Sequence, residues 1–562
     1  MRYLGLALSA FLLTACGAKD DAKTLPLTVN SETLRSVSQG PVLGFTSETG
    51  AHVWRAVPYG ADTSGENRWR APRPAPTRSE TYEALDFGPV CPQIATPFTP
   101  VPSFVNGALE GSEDCLTFDI YAPPDAVGKN LPVMMWIHGG GNVSGTSQLY
   151  VGDRLAVNED VIIMAVQYRL GPLGWFSHPA LRDTAQTPAD KAANFALLDQ
   201  IAALRWIQDN AASFGGDPNN VTIFGESAGG HNVAALLASP MAKGLFHKAI
   251  LQSGSFDSVS VSEAETSAEL LNPSRWVGEK LGVENFHSAS TQEVFKAFDL
   301  TENGGFMELP RVIEDGVSLP KTAMRDIFSS RESFANVPII TGTNRDEMKL
   351  FFLSNPELTK KTGPLYKARD PELYDAASDY SGRDWRLSAV DEPIALMNSA
   401  GHDAVYAYRF DWDEGGKFLT MDLSKLLGAA HAMEIPFVFN RFVLLGEADD
   451  IMFQDKTEAS RQELSRTMGT YWANFARTGV PSAPGSPAWG PYGSGGTLMH
   501  FDSRNDRGIR IESGPDTSSA IITDIAADPR IDNEQRCKIT QSLTRISDQD
   551  QARAAQIFNC AP

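Results

Sequence analysis

The stretch Val221-Thr222-Ile223-Phe224-Gly225-Glu226-Ser227-Ala228-Gly229-Gly230-His231-Asn232 contains the pattern G-x-S-x-G, preceded by an apolar run and followed by helix-forming residues. We interpret the apolar run as a buried strand and the following residues as a helix. Glycines suit such a sharp turn because a side chain would block the close approach of the helix to the strand. The pattern therefore predicts that Ser227 projects from a strand-to-helix turn, near the positive end of the helix dipole.

Several other short apolar runs are bounded by Gly, Pro, Asn or Asp, which is typical of strands buried on both faces of a sheet. They cover residues 133–138, 161–168, 248–252, 337–342 and 404–410. Helical patterns such as 198–214 alternate with them, so the sequence predicts an α/β fold with a large, mostly parallel central sheet flanked by helices. Residues 256–336 show no strong strand, and we expect helices and loops there. The sequence beyond Arg530 is typical of a helix, and we predict a final helix there.

A second glycine-rich stretch, Trp136-Ile137-His138-Gly139-Gly140-Gly141, follows another apolar run. Three successive glycines leave the backbone N–H groups accessible, so that they can converge on a developing oxyanion. No phosphate-binding pattern of the form G-x-x-x-x-G-K-[ST] or G-x-G-x-x-G surrounds the stretch. A flexible turn without catalytic use is the alternative interpretation.

A serine hydroxyl is a weak nucleophile, and it needs a histidine base that is oriented by a carboxylate. In the chain order nucleophile, acid, base, the loop after the run 337–342 offers Asp346 and Glu347 as the acid. Three downstream histidines, His402, His431 and His500, are candidates for the base. Spacing alone leaves all of these alternatives open.

Taken together, these segments resemble the type B carboxylesterase family, which also contains cholinesterases. Further matching segments are Arg55-Ala56-Val57-Pro58-Tyr59, Arg68-Trp69-Arg70-Ala71-Pro72, Ser112-Glu113-Asp114-Cys115-Leu116, Gln167-Tyr168-Arg169-Leu170-Gly171, Gly215-Gly216-Asp217-Pro218-Asn219 and Tyr471-Trp472-Ala473-Asn474-Phe475-Ala476. The resemblance implies the α/β-hydrolase fold, with helical insertions that cover the active site. It also implies a serine carboxylic ester hydrolase that forms an acyl-enzyme on small to medium esters and needs no cofactor and no metal.

The resemblance also selects among the candidate residues. The segment Thr343-Asn344-Arg345-Asp346-Glu347 is similar to the family's acid loop, which implies that Glu347 is the triad carboxylate. The segment from Gly428 to Phe439 is similar to the family's histidine segment, which implies that His431 is the base. The implied oxyanion donors are the backbone N–H groups of Gly140, Gly141 and Ala228.

Three positions bear on the substrate. Glu226 resembles an acidic residue that the family places at the pocket floor, although a satisfied buried carboxylate is an equal alternative. Asn142 departs from the aromatic or small residue that is common after the third glycine, and we expect it to add a hydrogen bond to the acyl pocket or to a polar substrate. The loop between Cys91 and Cys115 contains no tryptophan, which disfavours a dedicated cholinesterase.

Two other functions stay open at this point. The same triad can cleave a specific amide, a carbamate, or the ester of a toxin or xenobiotic, because the fold and the triad set the reaction class while the loops set the pocket. A non-catalytic binding or adhesion homologue is disfavoured, since the chain keeps every member of the triad. The oligomeric state is not encoded in any pattern that we recognise.

The N-terminus has the composition of an export signal. Arg2 precedes an apolar run of about ten residues, which is too short to span a bilayer as a helix. The run ends in Leu13-Thr14-Ala15-Cys16, which resembles the lipobox of bacterial lipoproteins; a plain secretory signal is the alternative. We therefore expect a signal peptide over 1–15, a lipidated Cys16 with a polar tether over 16–30, and a single catalytic domain over 31–562. The protein would be exported and held at a membrane, on the periplasmic side or in the outer membrane, only by its lipid anchor.

The other four cysteines and the net charge limit the partners. Because disulfides form outside the cytoplasm, the spacing favours the local pairs Cys91–Cys115 and Cys537–Cys560. No Cys-x-x-Cys or His cluster accompanies them, which disfavours a metal site. A net charge of −21 argues against nucleic acid as a partner, because binding phosphates requires clustered Lys and Arg.

Overall fold

The computed structural model describes residues 27–96, 105, 107–267, 273–298 and 310–560, which fall into two compact units. The first unit comprises the chain up to Ile250, Phe256–Pro338 and Phe475–Val480; the second comprises Leu251–Ser255, Ile339–Asn474 and the chain from Pro481 onward. The expected signal peptide, Cys16 and most of the tether lie outside the described residues. The single catalytic domain over 31–562 stays a prediction.

The first unit is built on a mixed sheet. Its strands are β1 (Phe45–Thr46), β2 (His52–Pro58), β3 (Thr117–Ala122), β4 (Leu131–Ile137), β5 (Ile162–Val166), β6 (Gly216–Glu226) and β7 (Lys248–Gln252). They neighbour one another in the order β1-β2-β3-β5-β4-β6-β7. On either side of β4, strands β5 and β6 run parallel to it, whereas the pairs β1–β2, β2–β3 and β3–β5 are antiparallel. Every residue of β4 and β5 is buried, as expected for the centre of an α/β sheet.

Two helices of the first unit, α1 (Phe195–Asn210) and α2 (Ala228–Ala238), follow from the sequence patterns. The predicted helix over 198–214 is α1 followed by a 3₁₀ turn, Ala211–Phe214. Gly215 then adopts a φ of 90°, which is why glycine ends this helix. The remaining helices of this unit are Asp153–Glu159, Gly171–Gly174, Pro179–Asp183, Val261–Thr266, Pro273–Leu281, Thr291–Ala297 and Met324–Ile327.

The stretch 256–336 forms short helices and loops as expected, but it also contains two strands that the sequence pattern did not show. Ser258–Ser260 pairs in parallel with Val312–Glu314. Three residues are too few to reveal an alternation of apolar and polar positions. The side chain of Asn194 supports the second strand, since its amide donates to the Ile313 carbonyl and accepts from the Ile313 N–H. Outside the central sheet, Arg35–Val37, Gly40–Leu43 and Tyr82–Glu83 form one small sheet, and Gln93–Ile94 pairs with Leu109–Glu110.

The second unit contains the last two residues of β7 and the strands β8 (Ile339–Asn344), β9 (Val405–Phe410), β10 (Leu498–Phe501) and β11 (Arg510–Glu512), which neighbour one another in that order. Strands β8, β9 and β10 are parallel, and β11 is antiparallel. The longest helices are α3 (Pro371–Arg386) and Glu458–Thr478; a π-helical turn over Leu387–Asp391 follows α3. The other elements are the helices Lys349–Phe352, Glu392–Ser399, Leu423–Leu426, Ile435–Val438 and Asp449–Met452, and the strand pairs Thr359–Thr362 with Leu365–Ala368 and Lys417–Phe418 with Met421–Asp422.

The chain ends in three helices, α4 (Ser518–Ala527), α5 (Asn533–Ser542) and α6 (Asp548–Phe558). The prediction of one final helix beyond Arg530 was wrong, because two lie there. Each has its own start signal: the Asp532 side chain caps α5 and the Ser547 side chain caps α6.

Both predicted disulfides, Cys91–Cys115 and Cys537–Cys560, are confirmed. The first lies in the first unit, and the second ties α5 to the residues after α6. In the ranges given above, no helix is both long enough and apolar enough to cross a bilayer.

Removing the second disulfide should destabilise the protein. The bond closes a loop between cysteines 23 positions apart. We expect the variant Cys537→Ser/Cys560→Ser to lose about 3 kcal/mol of unfolding free energy, because the open chain gains entropy when unfolded. Urea unfolding of the variant and the wild type measures the difference. An unchanged midpoint would contradict the assignment of a stabilising role to this bond.

Candidate active site

Ser227 lies at a strand-to-helix turn, as predicted, between the end of β6 and the start of α2. Its backbone angles are φ 56° and ψ −124°, a conformation that costs free energy in a residue other than glycine. A Cβ atom on Gly229 would lie 2.0 Å from the Ile137 carbonyl oxygen, and one on Gly225 would lie 2.6 Å from the same atom. Helix α2 therefore approaches β4 so closely that only glycine fits at both positions.

The glycine-rich stretch after β4 lies beside Ser227. A Cβ atom on Gly139 would come within 3.0 Å of the Ser227 Cβ. Gly140 and Gly141 adopt φ values of 97° and 64°, which side chains rarely tolerate. Across the ranges that the structure describes, the N–H groups of Gly140, Gly141 and Ala228 donate to no protein acceptor. The predicted oxyanion donors are thus available to a ligand.

Asn142 connects the glycine-rich loop to the helix that follows Ser227. Its side chain is 1% exposed, and its Oδ1 atom accepts a hydrogen bond of 2.9 Å from Asn232 Nδ2 on α2. Its backbone carbonyl accepts a 2.6 Å bond from the Gly171 N–H. Asn232 thus occupies the side-chain oxygen, and a hydrogen bond from Asn142 to the acyl pocket or to a polar substrate stays a prediction. Asn142 therefore holds the loop in register with α2.

Two buried rings support the same loop. The hydroxyl of Tyr168 donates to the His138 carbonyl at 2.6 Å, and burial raises the pKa of this tyrosine. The His138 ring stacks on the Tyr168 ring, and burial lowers the pKa of the histidine to about 4. His138 is therefore neutral near pH 7, and it contributes no charge next to the serine.

Glu226 is buried beside the glycine-rich loop, being 3% exposed. Its Oε2 atom lies 2.9 Å from the point where a Cβ atom on Gly139 would stand. The carboxylate thus faces the same loop as Ser227. This position agrees with the family's pocket-floor acid and also with a satisfied buried carboxylate, so both interpretations stand.

In the second unit, Glu347 and His431 form a close pair. Glu347 lies just after β8, and its Oε2 atom is 2.6 Å from His431 Nδ1. Its other oxygen accepts bonds of 2.6 Å from the Ser253 hydroxyl and 2.7 Å from the Asn344 N–H. These bonds compensate the cost of burying the carboxylate completely. The charged acceptor fixes the imidazole with its Nδ1 atom as the donor.

The geometry distinguishes Glu347 from the alternative acid, Asp346. The Asp346 carboxylate bonds Arg345 at 2.8 Å and Lys349 at 3.2 Å. Although burial opposes the effect, these two cations hold the pKa of Asp346 below its usual value. The Asp346 carboxylate therefore belongs to an ion-pair network and does not orient a histidine.

The alternative bases differ from His431 as well. His500 pairs with Asp411 at 2.9 Å, but its other ring nitrogen lies 3.5 Å from Glu512. Both of its nitrogens thus face carboxylates, which leaves neither for a reacting hydroxyl. His402 is buried, its backbone N–H donates to the Met397 carbonyl, and the Glu347 carboxylate pairs with His431.

Several residues around the pair had not been predicted to belong to the site. Glu434 is fully buried and accepts bonds from Asn344 Nδ2 at 2.6 Å and Gln252 Nε2 at 2.9 Å. Burial, and to a lesser degree the charge of Glu347, raises the pKa of Glu434, while the two amides lower it. Ser253 follows β7, and no pattern in the sequence indicated its contact with Glu347.

Two partly exposed aromatic rings contact the imidazole. The Trp385 ring centroid lies 4.8 Å from that of His431, and the Phe351 centroid lies 5.3 Å from it. The two aromatic rings are nearly parallel, with an interplanar angle of 16° and a centroid distance of 6.1 Å. Neither ring was singled out in the sequence. They provide an apolar surface beside the histidine.

The predicted site residues thus form two sets, each of which lies within one unit. Ser227, Glu226, Ala228 and the glycine-rich loop lie in the first unit, and Glu347 and His431 lie in the second. In the described part of the chain, no group of three or more His, Cys, Asp or Glu side chains is arranged to hold a metal ion.

Comparison with known proteins identifies close similarities over most of the chain. The family model described as "Carboxylesterase family" matches residues 31–369 and 367–515. A para-nitrobenzyl esterase of Bacillus subtilis is 34% identical over 517 residues, which cover 85% of this chain and 96% of that protein. A liver carboxylesterase of Sus scrofa is 32% identical over 511 residues, covering 81% and 87%.

Solved structures agree with this similarity. A PNB esterase superposes with a TM-score of 0.67 and 30% identity over 86% of this chain and 98% of that one. A thermophilic PNB esterase superposes with a TM-score of 0.70 and 30% identity over 87% of this chain and 99% of that one.

The backbone at Ser227 predicts an unusual effect on stability. Replacing Ser227 with glycine should raise the free energy of unfolding by about 1 kcal/mol relative to alanine. Glycine relieves a backbone strain of about 1–3 kcal/mol, partly offset by its greater freedom in the unfolded chain. Urea unfolding of S227G beside S227A measures the difference. If S227G proves the less stable variant, the turn is not strained in solution.

Proposed function

The chain belongs to the carboxylesterase family and is a carboxylic ester hydrolase, and we propose that Ser227, His431 and Glu347 form its catalytic triad. The observation that carries the proposal is the 2.6 Å contact between Glu347 Oε2 and His431 Nδ1, at the positions where the family's motifs place the acid and the base. The strained turn at Ser227 supports the assignment of the nucleophile, because strain in a folded protein concentrates at functional sites.

The proposed mechanism follows from these roles. His431 takes the proton of the Ser227 hydroxyl as the oxygen attacks the ester carbonyl, and it then gives that proton to the departing alcohol. Water next attacks the acyl-enzyme, with His431 again as the base. Because Glu347 occupies Nδ1, the proton passes through Nε2. The carboxylate stabilises the imidazolium that forms at each step.

The oxyanion of each tetrahedral intermediate would bind the N–H groups of Gly140, Gly141 and Ala228. Each such donor can contribute about 3 kcal/mol to the transition state. The Asn142–Asn232 bond supports this role, since it holds the glycine loop against the helix that supplies the third donor. No cofactor is required by this chemistry.

We propose small to medium esters as the substrates, including esters of flat aryl alcohols. The stacked rings of Phe351 and Trp385 beside His431 support an aromatic leaving group, because such rings pack well against one another. The similarity to a protein named para-nitrobenzyl esterase agrees with this choice. A carbamate or amide would pass through the same intermediates, but an amine leaves less readily than an alcohol.

The hydrolysis of p-nitrophenyl esters, from acetate to long acyl chains, tests the proposal. We expect wild-type turnover of the short esters to fall by about 10⁶-fold in S227A and in H431Q, and by about 10⁴-fold in E347Q. His500→Gln is a matched control, because it disrupts the other buried histidine–carboxylate pair and should keep kcat. A p-nitroanilide and a carbamate measured in parallel compare the bond types.

Two outcomes would contradict this proposal. If H500Q lost as much activity as H431Q, the assignment of the base would be wrong. If a folded wild type hydrolysed no ester and was not labelled at Ser227 by an organophosphate, the chain would be a binding protein instead.

We also propose that the protein is exported and anchored to a membrane by a lipid on Cys16. The lipobox-like segment 13–16 and the polar residues after it support this assignment. The variant Cys16→Ser should move the protein from the membrane fraction to the soluble fraction, because a single amino-terminal Cys carries the anchor. Fractionation of cells that express the wild type and C16S measures the change. A wild type that is already soluble would favour the plain secretory signal.

A further inference from the structure

The three C-terminal helices lie outside the residues that match the family model, which end at 515. We call residues 518–560 the C-terminal brace. It is closed by Cys537–Cys560 and packs against α3 and the elements around it. The shared apolar cluster contains Phe352, Tyr374, Ala376, Ala377, Tyr380 and Leu387 with Ile521, Ile522, Ile525, Ile531, Cys537, Ile539, Leu543, Ile546, Ala554 and Phe558.

This cluster reaches the acid loop. Met348, the residue after Glu347, packs against its edge, and Phe352 is one of its members. Phe352 follows Phe351, whose ring contacts His431. The brace thus shares a core with the immediate neighbours of two residues of the site.

Ion pairs and hydrogen bonds connect α3 to the brace and to Asp516, which precedes the brace. Asp379 pairs with Arg530 at 2.7 Å, and the Tyr380 hydroxyl donates to Asp528 at 2.8 Å. Arg383 pairs with Asp516 at 2.6 Å and with Asp524 at 2.7 Å. Partly exposed ion pairs of this kind contribute little stability each, so the buried contacts in the series matter most.

Two contacts of the series are buried, the Tyr380–Asp528 bond and the bonds to Asp384, and the second lies nearer to Trp385 in the chain. The Asp384 side chain is 6% exposed, and its two oxygens accept three bonds from the segment between α5 and α6. The donors are the Thr544 N–H at 2.9 Å, the Thr544 hydroxyl at 3.0 Å and the Arg545 N–H at 2.8 Å. Hydrogen bonds to a charged acceptor in a buried place are among the stronger ones in proteins. They fix the C-terminal end of α3 to the brace.

The residue after Asp384 is Trp385, whose ring contacts the imidazole of His431 at 4.8 Å. Immediately beyond it the helix widens into the π-helical turn Leu387–Asp391. A π turn lacks the regular spacing of an α-helix, and such turns are often found at functional sites. Asp384 and Trp385 are thus consecutive residues at the end of α3, just before this turn.

We propose that the C-terminal brace positions the imidazole of His431, and that it acts through the positioning residue Asp384 and the ring of Trp385. The kinetic part of this inference rests on the proposed function, in which His431 is the base. A small displacement of a catalytic group can cost a large factor in rate, so a contact remote from the ester can control turnover.

The experiment compares Asp384→Asn with Tyr380→Phe. Both variants remove contacts between α3 and the brace, but Tyr380 lies a turn before Asp384 and away from Trp385. In D384N, one of the two acceptor oxygens becomes an N–H₂ group, so at least one of the three donors from Thr544 and Arg545 loses its acceptor. We expect kcat/KM for a short p-nitrophenyl ester to fall about tenfold in D384N and to stay within about twofold of wild type in Y380F.

Two further variants test whether the effect passes through Trp385. Trp385→Ala should lower kcat/KM, and Trp385→Phe should restore most of it, since a ring is kept against the imidazole. The double variant D384N/W385A should lose no more than W385A alone, because the two changes break the same connection.

A spectroscopic readout keeps the test independent of ester hydrolysis. The short hydrogen bond between His431 Nδ1 and Glu347 should give a low-field proton resonance, assigned by its loss in H431Q. We expect this resonance to shift or broaden in D384N and to persist in Y380F. If the wild type shows the resonance but hydrolyses no ester, the proposed function fails. The resonance in D384N and Y380F then tests by itself whether the brace positions the imidazole of His431.

Three results would overturn the inference. The first is a D384N variant that folds and keeps the wild-type kcat/KM and the wild-type resonance. The second is an equal loss of kcat/KM in D384N and in Y380F. The third is a loss of kcat/KM in D384N/W385A that equals the sum of the two single effects on the free-energy scale. If D384N does not fold, Thr544→Ala replaces it, because it removes one of the three bonds to Asp384 and leaves the two backbone donors. T544A should then lower kcat/KM and move the resonance in the same direction, and its failure to do so would count against the brace.

Discussion

The close approach of α2 to β4 is the constraint on which the site depends. Gly225 and Gly229 both face the carbonyl oxygen of Ile137, at distances that exclude any side chain. This contact forces the backbone of Ser227 into its strained turn and places Gly139 against the serine. Among the residues that the structure describes, the N–H groups of Gly140, Gly141 and Ala228 have no protein acceptor. The same packing thus fixes the nucleophile and the oxyanion donors together.

Buried carboxylates organise the second unit in a corresponding way. Glu347, Glu434 and Asp384 are each almost completely buried, and each accepts several hydrogen bonds. An unsatisfied carboxylate at any of these positions would cost several kcal/mol, so each one specifies the position of its donors. Glu347 thereby defines the imidazole of His431, Glu434 ties Asn344 to Gln252, and Asp384 ties α3 to the C-terminal helices. The positions of these donor groups thus follow from the hydrogen bonds that the three buried carboxylates require.

The sequence predicted those features that are local. The turn at Ser227, the glycine-rich loop and both disulfides depend on residues close in the chain, and the structure contains each of them. Spacing alone did not separate Glu347 from Asp346, and a family motif was needed, because the distinction depends on contacts with His431. The bonds of Ser253 and Asp384 connect residues far apart in the chain and leave no periodic pattern. The bond between Asn142 and Asn232 on α2 could likewise be known only from the fold.

The two compact units are interleaved along the polypeptide. The second unit includes Leu251–Ser255, a five-residue piece that the chain contributes long before the rest of that unit, and the first includes Phe475–Val480. Ser253, within the early piece, donates to Glu347. Expression of the chain from Ile339 onward would therefore yield a fragment whose acid lacks its hydroxyl donor. No single cut in the chain leaves both units whole. The enzyme therefore cannot be divided into two fragments that each contain one complete unit.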